Sequence, residues 1–172
     1  MIIRDATDDD LPAIVAIFNY TVRDTTAVFS SVETDVAARA DWAAGRRAKG
    51  FPVLVAEAEG QVIGFASYDQ FRSFPGYRHT VEHSVYVDPA SQRRGAGRAL
   101  MEALVADARA RRLHVMVGGI DADNAGSIAL HAALGFTETG RMAEVGVKFG
   151  RWLTLVFMQL VLHPGAAPPE AR

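Results

Sequence analysis

Residues 80–100 read Thr80-Val-Glu-His-Ser-Val-Tyr-Val-Asp-Pro-Ala-Ser-Gln-Arg-Arg-Gly-Ala-Gly-Arg-Ala-Leu100, and this stretch decides the fold. Thr80 to Val87 is rich in β-branched and aromatic residues and predicts a strand, stopped by Asp88-Pro89. Gln92 to Gly97 is a basic, glycine-containing turn. The apolar spacing of Ala99, Leu100, Ala103, Leu104 and Ala108 then predicts a helix, with Arg109, Arg111 and Arg112 near its C-terminus. Free backbone N–H groups at such a helix start, with the positive end of its dipole, suit an anion such as a pyrophosphate. Gly95 and Gly97 allow close approach, and Arg93, Arg94 and Arg98 can add charge-assisted contacts. A Walker A loop would need Gly-Lys-Ser/Thr, which is lacking, and a dinucleotide fingerprint would want a third glycine near Leu100. Taken alone, the turn fits a solvated basic connector equally well.

Working outward, Ile2-Ile3-Arg4 predicts a short first strand, and Thr7 with Asp10 a capping pair before a helix carrying Leu11, Ile14, Val15, Ile17 and Phe18. A second amphipathic helix is expected from about Thr34 to Lys49, with Gly50 as its stop. The period then changes: Pro52–Glu57 and Val62–Tyr68 predict a hairpin turning at Glu59-Gly60. Residues 71–78, Phe-Arg-Ser-Phe-Pro-Gly-Tyr-Arg, read as a loop. Downstream come a strand at Leu113–Gly118, a short helix at Asn124–Leu134 closed by Gly135, and strands around Phe136–Val145 and Arg151–Leu162. This order predicts a mixed, largely antiparallel sheet flanked by helices, one domain over 1–162, and a disordered tail over 163–172.

Composition narrows the function. With 172 residues the chain is long enough for one core without metal or disulfide staples. Eighteen Lys and Arg against twenty Asp and Glu give a net charge of −2, so no overall positive field draws it to nucleic acid. Zero cysteines remove disulfides, thiolate nucleophiles and cysteine zinc sites. The five histidines, at 79, 83, 114, 131 and 163, form no metal-binding motif, and no metal is expected. The acidic start, Met1 to Asp10, is unlike a signal peptide, and Leu153–Leu162 is too short to span a membrane. A cytoplasmic protein without a membrane partner is expected.

Val85-Tyr86-Val87, the turn Gln92–Gly97, Asn124-Ala-Gly-Ser127 and Leu134-Gly135-Phe136 together resemble the GNAT acyltransferase superfamily. More narrowly, Thr80–Val87 and Lys148-Phe-Gly-Arg-Trp152 look like its phosphinothricin and methionine sulfoximine N-acetyltransferase branch. The resemblance implies an α/β (α+β) GNAT fold, with a mixed, mostly antiparallel sheet of about seven strands and about four helices. It implies acetyl-CoA as co-substrate. A splayed fourth strand, Val85, Tyr86 and Val87, would offer backbone amides to the pantetheine arm and thioester, and residues Arg93, Arg94, Gly95, Ala96, Gly97 and Arg98 would take the pyrophosphate. Asn124 matches a pantetheine-side asparagine and also suits an ordinary N-cap. Ser127 is a weaker match. His131 stands where many superfamily members carry a tyrosine that protonates the leaving thiolate, which puts that role in question; a packed helix histidine is the alternative.

Acetyl transfer to an amine needs a base, and the resemblance points to Glu82, acting directly or through a water. Strand alternation puts Glu82 on the face opposite His83 and Val85, and an ion-paired surface role is the alternative. For an amino-acid acceptor, Arg72 and Arg78 could grip a carboxylate, with Pro75, Gly76, Tyr77 and Phe29 supplying backbone and aromatic walls. The branch also implies a homodimer, with Lys148–Trp152 at the interface or in the core. The implied reaction is direct acetyl transfer to phosphinothricin, methionine sulfoximine or methionine sulfone. The alternatives are another amine such as a peptide N-terminus, or a non-catalytic acyl-CoA-binding module.

Overall fold

The structure, a computed structural model, describes residues 1–168. The elements are β1 (Ile2–Asp5), α1 (Leu11–Asp24), α2 (Val36–Ala48), β2 (Val53–Ala58), β3 (Gln61–Gln70), β4 (Thr80–Val87), α3 (Ala96–Ala110), β5 (Val115–Asp121), α4 (Ala125–Ala133), β6 (Thr137–Lys148) and β7 (Arg151–Val161). One seven-stranded sheet runs in the order β1-β2-β3-β4-β5-β7-β6, antiparallel throughout except for β4 beside β5. Element types follow the sequence reading. β5 and β6 differ in extent: β5 starts two residues later and runs on to Asp121, and β6 continues to Lys148.

Both faces of the sheet are covered, which explains the near-continuous apolar run in β2. Val53 and Val55 face α1 and α2, packing with Ile14, Ile17, Ala43 and Phe65. Leu54 and Ala56 face the opposite way, into a larger core with Leu100, Met101, Leu104 and Ala108 of α3. Capping is as the residues suggest, with one shift. Thr7 caps a single 3-10 turn, Asp8–Asp10, which runs directly into α1. At the other end of the chain, the amide of Leu162 donates to His114 O at 2.8 Å, and Pro164-Gly165 makes a turn. Of the tail expected over 163–172, the part beyond 168 lies outside the described residues.

Asp10 is the hinge of that N-terminal corner. Its carboxylate accepts from Arg4 at 2.7 and 2.9 Å and from the Thr7 amide at 2.7 Å, while being itself buried. The Arg4 hydrogen bonds hold its pKa down at about 2, from an ordinary 3.8. A depressed carboxylate stabilises the fold above its unfolded pKa, and that contribution is lost as pH falls through the folded one. Asp10→Asn should therefore cost about 1–2 kcal/mol at pH 7, and the gap to wild type should close between pH 4 and 2. Urea unfolding of both proteins across that range checks it.

Candidate active site

β4 and β5 pair only from Thr80↔Val115 to Glu82↔Val117. Beyond that point β4 stays on β3 as far as Val87, and β5 stays on β7 as far as Asp121, so the two strands part. A cleft of about 1020 Å³ opens along the freed edge of β4. Val85, Tyr86 and Val87 form its floor.

Two helix starts face this cleft. Gly95, at φ +85°, caps α3 in the left-handed region that glycine alone adopts freely, and Arg93 sits at φ +59°. The first N–H with an intrahelical partner is that of Ala99, bonded to Gly95 O, so the preceding amides are open to a ligand. Arg93, Gly95, Ala96, Gly97 and Arg98 all line the cleft, with Arg98 also 3.2 Å from Glu102. Arg94 does not line it: its side chain swings outward to Glu59 at 3.6 Å. At the second start, Asn124 caps α4 by accepting from the Ser127 amide at 3.0 Å, and both residues line the cleft.

The facing wall comes from the end of α1 and the segment after it, Tyr20, Thr21 and Asp24 to Ala27, with Phe149 and Arg151 at the rim. Sequence reasoning missed this wall. The residues there carry no motif, and Lys148 of β6 holds the segment in place. That lysine is buried, and its Nζ donates to Thr25 O at 2.6 Å and Val28 O at 2.9 Å. Phe149 and Gly150, at φ +51° and +72°, form the two-residue hairpin turn between β6 and β7. Lys148–Trp152 thus serves the cleft and the core as well as the surface, where Trp152 is 65% exposed.

The two faces of β4 hold different chemistry. On the α4 side, His83 stacks on His131 with Nε2 to Nε2 at 3.0 Å, both rings edge-on to Phe136. His131 Nδ1 lies 2.7 Å from the carbonyl of Ser127 and must donate to it, which leaves its Nε2 to accept from His83 Nε2–H. His83 Nδ1 is then a bare, buried lone pair without a partner. Burial favours the neutral rings: it lowers both pKa values, that of His83 to about 3. His131 is 1% exposed and is absent from the cleft lining, where Ser127, its hydrogen-bond partner, stands; this burial favours the packed-histidine alternative.

On the opposite face, Glu82 lies with Ser84 and Tyr86 in a separate cavity of about 150 Å³. Burial raises its pKa and the charge of Arg72 pulls it back in part. No hydrogen bond or ion pair holds the Glu82 carboxylate among the described residues. Tyr86 lines both this cavity and the large cleft. The acceptor residues expected from the sequence are more scattered. Arg72 stacks on Phe71, 4.7 Å from the ring centre, close enough to bear on Glu82, whereas Arg78 turns back to Pro75 O at 3.3 Å. Pro75, Gly76 and Tyr77 form an exposed single turn, and Phe29 packs against Gly146 of β6. None of these six lines either cavity.

The family-model comparison identifies residues 14–136 as the Acetyltransferase (GNAT) family, and the chain belongs to this family. It is 51% identical over 168 residues to the L-methionine sulfoximine/L-methionine sulfone acetyltransferase of Salmonella typhimurium strain LT2, covering 98% of each chain. It is 41% identical to the phosphinothricin N-acetyltransferase of Alcaligenes faecalis, over 95% of this chain and 83% of that one. Among solved structures, yncA from Salmonella typhimurium, determined with its cofactor acetyl-CoA, superposes with a TM-score of 0.96 at 50% identity, over 99% and 98% of the two chains. The chain is an acetyltransferase with the GNAT fold. Among the described residues no group of three or more His, Asp or Glu side chains is arranged to hold a metal, and no helix is long and apolar enough to cross a membrane.

One signal in the sequence went unread: the consecutive glycines Gly118-Gly119 inside β5. Glycine in a strand interior often marks a close approach. A Cβ on Gly118 would meet His83 Nε2 at 2.7 Å and His131 Nε2 at 3.1 Å, on rings fixed by stacking. One on Gly119 would meet the carboxylate end of Glu82, Oε1 at 3.2 Å, with Leu155 and Phe157 at ordinary contact distances of 3.4 and 4.0 Å. Gly118→Ala should thus cost about 1–3 kcal/mol of stability, while Gly119→Ala should leave the melting temperature nearly unchanged and lower turnover. Thermal unfolding and initial rates on the two variants separate these effects.

Proposed function

We propose that the enzyme transfers acetyl from acetyl-CoA to the amino group of a small amino-acid acceptor, methionine sulfoximine, methionine sulfone or phosphinothricin, with Glu82 as general base. The observation that carries this is the convergence of two helix N-termini and the open edge of β4 on one cleft, next to a half-buried, unpartnered carboxylate. The names and nearly full-length similarity of the relatives support the donor and the acceptor class.

The pyrophosphate would rest on the amides of Ala96 to Arg98 with Arg93, and the pantetheine arm along Val85–Val87 by Asn124. Glu82, kept basic by burial, takes a proton from the acceptor ammonium. The freed amine attacks the thioester carbonyl carbon, the C–N bond forms, and a β4 backbone N–H holds the oxyanion. Collapse breaks the C–S bond. The amide nitrogen loses its second proton, the thiolate gains one, and Glu82 returns its proton to solvent. We also propose a cytoplasmic homodimer, joined through the exposed apolar strip of Met142, Val145, Val147 and Trp152 on β6 and β7.

Glu82→Gln should lower kcat about 10²- to 10⁴-fold with acetyl-CoA affinity retained. In the wild type, kcat/KM should rise with pH through the Glu82 ionisation, above the ordinary 4.5 of a glutamate, and this limb should vanish in the variant. Thiol release against a panel of the three acceptors and an alanyl peptide reads both. Turnover on the peptide alone would move the acceptor to protein termini. An unchanged rate in Glu82→Gln would remove it from the mechanism.

A further inference from the structure

The small cavity beside Glu82 holds a second group that the reaction outlined above leaves unused. Arg39 of α2 is 8% exposed, its guanidinium lying 3.7 Å from the ring centre of Phe18 and 5.0 Å from that of Trp42. Its buried Nε has no hydrogen-bond partner. No carboxylate among the described residues pairs with it, although neighbouring Arg46 is paired with Asp69. Burial and the nearby charge of Arg46 push the Arg39 pKa down. A buried cation without a counter-ion costs several kcal/mol, and an anion arriving from outside would offset that cost.

Arg39 and Glu82 line the same cavity of about 150 Å³, and Tyr86 feels the charge of both. One unpartnered cation and one unpartnered carboxylate, held apart in one pocket, complement a zwitterion. The volume is too small for a whole ligand, which typically needs about 300 Å³ or more, but it suits the ammonium, Cα and carboxylate of an α-amino acid. The acceptor's side chain would then extend out of the pocket. Tyr86 is the wall shared with the donor cleft, so an amine held at Glu82 adjoins the thioester strand.

We propose that Arg39 is the carboxylate anchor of the acceptor site and that, with Glu82, it selects α-amino acids over simple amines. This rests on the amino-acid acceptor reading and assigns to Arg39 the grip that the sequence suggested for Arg72 and Arg78.

The test compares methionine sulfone with its carboxylate-free analogue, 3-(methylsulfonyl)propan-1-amine, in wild type and Arg39→Met. The variant keeps the apolar contacts with Phe18 and Trp42. Wild type should prefer methionine sulfone by about 10- to 100-fold in kcat/KM, the scale of a charge-assisted hydrogen bond. Arg39→Met should lose that preference through KM, with the KM for acetyl-CoA unchanged and the melting temperature not lowered. Should Arg39→Met fail to fold, Arg39→Lys keeps the charge without the planar fork and should still lose about tenfold. Calorimetric titration of methionine sulfone into the CoA-bound protein separates the two readings. Binding by wild type and not by Arg39→Met, without turnover, would sustain the anchor and sink the proposed reaction. Equal binding, or a preference that survives in the variant, would overturn the anchor. No binding by wild type would overturn both.

Discussion

The parting of β4 and β5 after Glu82 and Val117 is the constraint on which the rest of the molecule depends. A strand edge inside a protein leaves backbone donors and acceptors unpaired, and such edges are normally paired or covered. Here both strands are fixed on their outer sides, β4 by β3 and β5 by β7, so they cannot close on each other. The stacked imidazoles of His83 and His131, seated over Gly118, occupy the point of separation. The open edge is thereby converted from a liability into a floor for a ligand that can satisfy it.

Because the separation falls on a strand, side-chain alternation sorts the chemistry by face. His83 points to the α4 side, where neutral rings form a dry prop, and Glu82 to the α1 and α2 side, where charges gather. Gly118 and Gly119 serve one face each, giving room to the imidazoles and to the carboxylate in turn. Charge is local as well. With a net charge of −2, the chain has no general attraction for anions. Two helix starts instead turn oriented amides toward the cleft, and their field is strongest within the first turn.

What was legible in the sequence follows from how local each signal is. Thr80–Val87, the glycine turn that opens α3 and the cap at Asn124 are decided by neighbours a few residues away, and each was readable. The outward swing of Arg94 to Glu59, the stacking of His131 on His83 and the packing of Phe29 on Gly146 depend on distant elements, and local pattern carries no signal of them. Arg39 was hidden for another reason. In an amphipathic helix an arginine reads as part of the solvated face, and only the fold reveals that Phe18 and Trp42 enclose it.

The contrast between Arg39 and Lys148 separates structural burial of charge from burial directed at a ligand. Both residues are at least nine-tenths buried, and burial lowers the pKa of each. Lys148 is answered from within: the carbonyls of Thr25 and Val28 accept its hydrogens, with Thr21 O at 3.5 Å where α1 ends and its dipole is negative. Desolvation is offset, and the result is mechanical, a staple that holds the cleft wall to the β6–β7 turn. Arg39 has the same burial without that answer, facing a cavity and not a carbonyl cluster. A chain that satisfies one buried cation so fully while leaving the other open has placed the second where its counter-charge comes and goes.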